Sequence, residues 1–162
     1  MTGNVVYYNQ KEEREVSPMK IWFDMDGTIA DLYGVEGWLP MIQAKDETPY
    51  AIAKGIVNLA QLAKLMNKVQ KNGYEICIVS ALAKESNSEY DERVMKAKRE
   101  WLKKHLKSVQ FDEIRFVPYW YTKNNVNTGA DVLFDDEERH LTAWTGKAVN
   151  AKQMIETLKT MA

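Results

Sequence analysis

The stretch Met19-Lys20-Ile21-Trp22-Phe23-Asp24-Met25-Asp26-Gly27-Thr28 governs the reading of the whole chain. Its first half is a short apolar run with the composition of a buried strand. Its second half turns acidic at once, with Asp24 and Asp26 two residues apart and Gly27 behind them. Glycine there permits a tight turn and lets a ligand approach the backbone closely.

Outward from this stretch, apolar runs alternate with helical patterns. Ile56, Leu59, Ala63, Met66 and Val69 recur at helical spacing, and Asn72-Gly73 ends that helix. Tyr74 to Val79 reads as a second strand. Ser86-Asn87-Ser88-Glu89 has capping-box spacing and opens a helix with Tyr90, Val94, Ala97 and Trp101 on one face. Residues 114–118, 130–134 and 147–149 are further strand candidates, and Asn150 is placed to cap a last helix through Met154, Ile155, Leu158 and Met161. Strands separated by helices of this length imply right-handed crossovers. The expected fold is an α/β domain with a doubly wound parallel sheet over residues 19–162. Residues 1–18 are polar apart from Val5-Val6-Tyr7-Tyr8 and end at Ser17-Pro18, so they read as an N-terminal extension.

Composition narrows the class of protein. The 162 residues suit one core, and 45% hydrophobic with 28% charged residues is ordinary for a globular domain. A formal charge of -1 gives no overall pull toward nucleic acid or membrane. Cys77 is the single cysteine and lies in the apolar run Ile76-Cys77-Ile78-Val79, which predicts a buried, inert thiol in a reducing compartment. No apolar run is long enough to span a bilayer, and the N-terminus lacks a signal-peptide layout. The expected location is cytoplasmic.

In open α/β sheets ligands bind beyond the carboxyl ends of the strands. Those ends hold Asp24 and Asp26, then Ser80, then Asp135 and Asp136. Acids gathered at one rim repel one another unless a cation sits among them, and oxygen donors without histidine or cysteine suit Mg2+. Such a site fits phosphoryl transfer. Asp24 can attack phosphorus, Asp26 can protonate the leaving oxygen and later activate water, and Ser80 with a lysine can hold the remaining phosphate oxygens.

The run from Ile21 to Asp31 resembles the first motif of the haloacid-dehalogenase-like hydrolases. Ile78-Val79-Ser80 resembles their second motif, and Leu133-Phe134-Asp135-Asp136 their acidic fourth. The third motif is a lone lysine, for which Lys123 is the matching candidate, with Lys84 as competitor. The resemblance implies a phosphate grip by Ser80, Lys123 and Gly27 and a metal held by Asp24, Asp26 and Asp136, with Asp135 behind Asp136. It also implies that Asp26 marks the phosphatase or phosphomutase branch. About residues 32–51 remain for a small cap after the first strand, which points to a phosphatase. Within the superfamily, Trp101 to Leu106, Phe116-Val117-Pro118 and Leu133 to Glu137 look nearest to the 5'(3')-deoxyribonucleotidases and related bacterial and phage proteins.

Blander readings stand beside these. Asp-x-Asp-Gly also opens EF-hand loops, but the sixth and twelfth positions hold Ile29 and Val35 where glycine and glutamate are required. Asp135-Asp136 could be a helix N-terminus, where acids favour the dipole. Tyr33, Trp38 and Tyr50 in the cap, and Tyr119, Trp120 and Tyr121 after the third core strand, could stack on a base or merely pack the cap down. The basic run Lys96, Lys98, Arg99, Lys103, Lys104 and Lys107 reads as a solvated helix face, and His105 and His140 as surface or structural residues. The expected substrate is a small phosphate monoester, first a (deoxy)nucleoside monophosphate, then a sugar or acid phosphate. A phosphatase of polynucleotide ends and a non-enzymatic phosphate- or partner-binding protein are the alternatives.

Overall fold

The computed structural model describes residues 17–162, so the proposed extension lies outside the described residues except for Ser17 and Pro18. In chain order the strands are β1 (Lys20–Phe23), β2 (Ala30–Asp31), β3 (Lys54–Gly55), β4 (Glu75–Ala81), β5 (Glu113–Val117), β6 (Val132–Asp135) and β7 (Lys147–Asn150). Five of them form one parallel sheet in the order β5-β4-β1-β6-β7, and helices flank it. The doubly wound α/β architecture is therefore present. The central strands read as continuous apolar runs because both faces are buried. Ile21 and Phe23 point to one layer and Trp22 to the other, all fully buried.

The layer on the Ile21–Phe23 face holds the long helices. Helices α1 (Trp38–Gln43) and α2 (Thr48–Ile52) belong to the insertion after β2, while α3 (Leu59–Lys71), α4 (Ser88–His105), α5 (Glu138–Ala143) and α6 (Met154–Met161) belong to the body. Leu62, Met66 and Val69 of α3, Trp101 and Leu102 of α4, and Met154 and Leu158 of α6 pack into one cluster with the sheet. The opposite face, with Trp22, Cys77, Val79 and Leu133, is covered by Val126 and Trp144. No full helix joins β5 to β6 there; the chain makes a 3-10 turn over Lys123–Val126 instead. Asp131 pins this face, accepting from the Trp22 indole at 3.0 Å while its carbonyl accepts from the Trp144 indole at 2.8 Å.

Local differences from the sequence expectations have clear causes. Helix α3 starts after Asn58, whose Oδ1 accepts from Gln61 N, so Ile56 precedes it and is 42% exposed. The backbone there is already committed: Lys54–Gly55 pairs antiparallel with Ala30–Asp31, and Ile56 N donates to Ile29 O. Helix α4 is capped by Asn87, which accepts from Tyr90 N at 2.8 Å, while Ser86 Oγ donates to Asp91. Asn150 caps the short turn Ala151–Gln153 that precedes α6.

The β2–β3 pair closes the base of the insertion, and α1 and α2 sit above it. Leu32 and Tyr50 of this segment pack on Tyr90, Val94 and Ala97 of α4. Tyr90 Oη donates to Asp46 O, and the Arg93 guanidinium to Lys45 O. The cap is thus fixed to α4 as well as to its own base. Among the described residues no helix is long and apolar enough to cross a membrane.

Candidate active site

Strand β1 lies at the centre of the sheet; the chain passes from it to β4 and β5 on one side, then crosses to β6 and β7 on the other. This is the switch point at which open α/β sheets form a crevice. Asp24 is the first residue beyond β1, and its N–H donates to Phe134 O at 2.9 Å, which fixes its height against β6. Its side chain is buried, with Lys123 Nζ donating to Oδ1 at 2.5 Å and Thr28 Oγ1 donating to Oδ2 at 2.7 Å.

Lys123 sits on the 3-10 turn and is itself 2% exposed. Its ammonium also donates to Asp135 Oδ2 at 2.7 Å, and its backbone N–H donates to His140 Nδ1 at 3.1 Å. Burial alone would lower its pKa, but the charges of Asp24 and Asp135 raise it above the ordinary lysine value. Asp135 is fully buried and also accepts from Glu137 N. Lys84 lines the pocket, but its ammonium rests on the Trp120 ring at 5.3 Å. Lys123, not Lys84, is therefore the lysine brought to Asp24.

Carboxylate oxygens of Asp24, Asp135 and Asp136 lie within 4.8 Å of one another. Burial first, then the hydrogen-bonding and charge of Asp24 and the charge of Asp135, push the Asp136 carboxyl up to about 8. The cluster thus holds more negative charge than Lys123 offsets, and all its donors are hard oxygens, so it fits a small divalent cation such as Mg2+. Gly27 lies against it with φ +84, and a Cβ there would stand 2.2 Å from Asp136 Oδ2. The Asp26 carboxylate, expected as a ligand, is not in this group. Its Oδ2 accepts from Lys98 Nζ at 2.9 Å instead, and burial holds its pKa above the ordinary value despite that lysine.

Ser80 is fully buried at the end of β4 and does not line the pocket; its Oγ accepts from Lys98 Nζ at 2.7 Å. The basic run predicts a solvated face for Lys98, yet it is 1% exposed. The signal was in the sequence: Lys98 stands four residues after Val94 and three before Trp101, on the apolar stripe itself. His140 is also interior, not superficial, and its partnership with the Lys123 backbone had no sequence signature.

The pocket above these groups has a volume of about 280 Å³. Asp24, Asp26 and Lys123 contribute to it, with Tyr33, Trp38, Leu39 and Tyr50 from the cap side and Tyr119 and Glu137 from the body. Tyr33 and Trp38 meet edge to face at 4.9 Å between ring centroids. Trp120, expected near the substrate, is 68% exposed outside the pocket; Tyr119 faces in, and the two rings contact each other at 5.1 Å.

No family model matches the chain, and no curated relative matches it. Among solved structures the chain is similar to D,D-heptose 1,7-bisphosphate phosphatase from Burkholderia thailandensis. The two share 12% identity at a TM-score of 0.46, over 77% of this chain and 70% of that one.

Proposed function

We propose that the protein is a Mg2+-dependent phosphomonoester hydrolase of the haloacid-dehalogenase type. The observation that carries this reading is the buried Asp24 at the end of the central strand, with Lys123 on one oxygen and Asp135 and Asp136 beside it. Lysine and threonine hold both Asp24 oxygens in place, which orients a nucleophile without covering the pocket side. Asp24, Asp136 and Asp135 would hold the cation, which when bound neutralises phosphate charge so that a carboxylate can approach.

An Asp24 oxygen attacks phosphorus as the bond to the leaving oxygen breaks. Asp26 gives its proton to that oxygen, so an alcohol leaves and an aspartyl-phosphate remains. Water then attacks the same phosphorus, Asp26 takes back a proton, and phosphate departs with Asp24 restored. Lys123, which lines the pocket and keeps one proton beyond those given to Asp24 and Asp135, steadies the phosphoryl oxygens. The leaving group would occupy the aromatic side of the pocket. Tyr33, Trp38 and Tyr119 offer flat apolar surface of about one ring system, which favours a nucleoside monophosphate over a sugar phosphate.

The test is Mg2+-dependent hydrolysis of p-nitrophenyl phosphate by wild type and Asp24→Asn. The expected loss in the variant is about a thousandfold or more. Absence of turnover in wild type with Mg2+ would overturn the reading. For the substrate class, a panel of nucleoside monophosphates and sugar phosphates is compared in wild type and Trp38→Ala. The variant is expected to lose activity on nucleotides while keeping it on the aryl phosphate, and equal loss on both would remove the stacking role.

A further inference from the structure

Helix α4 places a lysine where a helix normally buries a leucine. Lys98 lies in the middle of α4, between the buried Val94 and Trp101, and 1% of it is exposed. A buried ammonium is costly unless every proton finds an acceptor. Here all of them do: Asp26 Oδ2 at 2.9 Å, Ser80 Oγ at 2.7 Å and Ala81 O at 2.9 Å. The ring of Tyr50, from the cap, stands 4.7 Å from the same nitrogen.

With its protons committed, Lys98 has none left for a phosphate, and it does not line the pocket. Its contacts run to the loop after β1, to the end of β4 and to the cap, so one ammonium ties together the parts that surround the reacting centre. Two consequences follow for its partners. The Asp26 carboxylate is outside the Asp24–Asp135–Asp136 cluster and bonds Lys98 through Oδ2, while Asp26 still lines the pocket. Ser80 Oγ accepts from Lys98, so its own hydroxyl proton is free to point elsewhere.

We propose that Lys98 is a positioning residue for proton transfer: it holds Asp26 at the leaving oxygen and takes no part in phosphate binding. The proposal rests on the phosphatase reading, with Asp26 as the group that gives up the proton. Balance at that step requires a proton only where the leaving oxygen is basic. An alkyl phosphate needs one as its P–O bond breaks, whereas 2,4-dinitrophenolate leaves as the anion.

The experiment compares kcat/KM of Lys98→Met with wild type on an alkyl phosphate and on 2,4-dinitrophenyl phosphate, both at saturating Mg2+. kcat/KM stops at the first irreversible step, so slow breakdown of an aspartyl-phosphate does not mask the effect. The expected loss is about 30-fold or more on the alkyl ester and within about threefold on the dinitrophenyl ester. In an Asp26→Asn background, Lys98→Met should add no further difference between the two esters, because both changes act through one group. Equal losses on the two esters, or a full additional difference in the Asp26→Asn background, would overturn the proposal. If wild type hydrolyses neither ester with Mg2+, the phosphatase reading itself falls, a result separable from any comparison of variants.

A second measurement leaves Lys98 intact in case the methionine variant does not fold. A fully bonded buried ammonium exchanges its protons slowly, so the Lys98 side-chain 15N–1H signal should be visible in wild type and shifted by Asp26→Asn. A signal that is absent, or unmoved by Asp26→Asn, would overturn the proposed contact.

Discussion

At Gly27 two demands coincide. The backbone holds φ +84, a region that L side chains occupy at a cost, and the space beside it is filled by Asp136 and the Tyr33 ring. A methyl group would stand 2.2 Å from Asp136 Oδ2, so Gly27→Ala must move that carboxylate. The expected outcome is a stability loss of about 1–2 kcal/mol in urea unfolding, with a fall in Mg2+-dependent turnover of tenfold or more. His140 makes a different kind of prediction. Its Nδ1 accepts from Lys123 N–H, which requires an unprotonated nitrogen, and its Nε2 is buried without a hydrogen-bond partner. Burial first, then the charges of Lys123 and Arg139, lower its pKa to about 4 from 6.5. Because the folded value lies below the unfolded one, the neutral ring contributes stability above pH 6.5 that is lost as pH falls through 4. The full effect is about 3 kcal/mol by the usual conversion. Unfolding midpoints of wild type and His140→Gln between pH 7 and 4 check it: the wild-type curve should fall more steeply, and parallel curves would contradict the assignment. His140 could not be placed from sequence, since an isolated histidine is usually at the surface. Its burial becomes visible only when its partners, distant in the chain, are brought together. Lys98, by contrast, carried a signal in its spacing from Val94 and Trp101 that the basic run around it masked.

The start of α4 shows how far local sequence reading extends. Ser86, Asn87, Ser88 and Glu89 all offer capping chemistry, and spacing alone favoured Ser86, yet the bond runs from Tyr90 N to Asn87 Oδ1. Tyr90 must point inward to join Leu32 and Tyr50, and that requirement sets where the helix begins. Asn87→Ala should therefore cost about 1 kcal/mol of stability, and Ser86→Ala only a few tenths, in denaturant titrations of the two variants. The reverse order would return the cap to Ser86. The strands were more legible than the helix ends, because runs such as Ile76 to Val79 are buried on both faces and admit few alternatives. The β2–β3 pair was not legible at all. Two residues on each side give no periodicity, and their pairing depends on where the cap returns to the body. Likewise, the choice between Tyr119 and Trp120 for the pocket is made by a loop beyond β5, where strand alternation no longer applies.

Across the molecule the acidic residues of the candidate site were legible for a topological reason. In a parallel sheet every core strand ends at the same rim, so residues far apart in sequence, Asp24 and Asp135-Asp136, converge without any knowledge of the helices. Their convergence sets a balance that the whole fold must carry. Four carboxyl groups, Asp24, Asp26, Asp135 and Asp136, face two ammonium groups, Lys98 and Lys123, in a largely buried place. Burial with this crowding pushes Asp26 and Asp136 toward their protonated forms. Folding without a cation must bring these carboxylates together against their repulsion, and a cation that binds only the assembled cluster stabilises the fold by mass action. At a hundredfold excess over its dissociation constant that stabilisation is about 2.7 kcal/mol. Asp136→Asn separates the two effects. It removes a carboxyl that burial and Asp24 push up to about 8 in the folded chain, so at neutral pH the variant in chelator should be more stable than wild type in chelator by about 1 kcal/mol. It also removes a ligand, so the rise in unfolding midpoint on adding Mg2+ should shrink or vanish while wild type keeps it. Thermal unfolding of both proteins in EDTA and in Mg2+ gives all four values. A wild-type midpoint that does not respond to Mg2+, or a variant that responds equally, would remove the cluster as a cation site whatever the enzyme assays report.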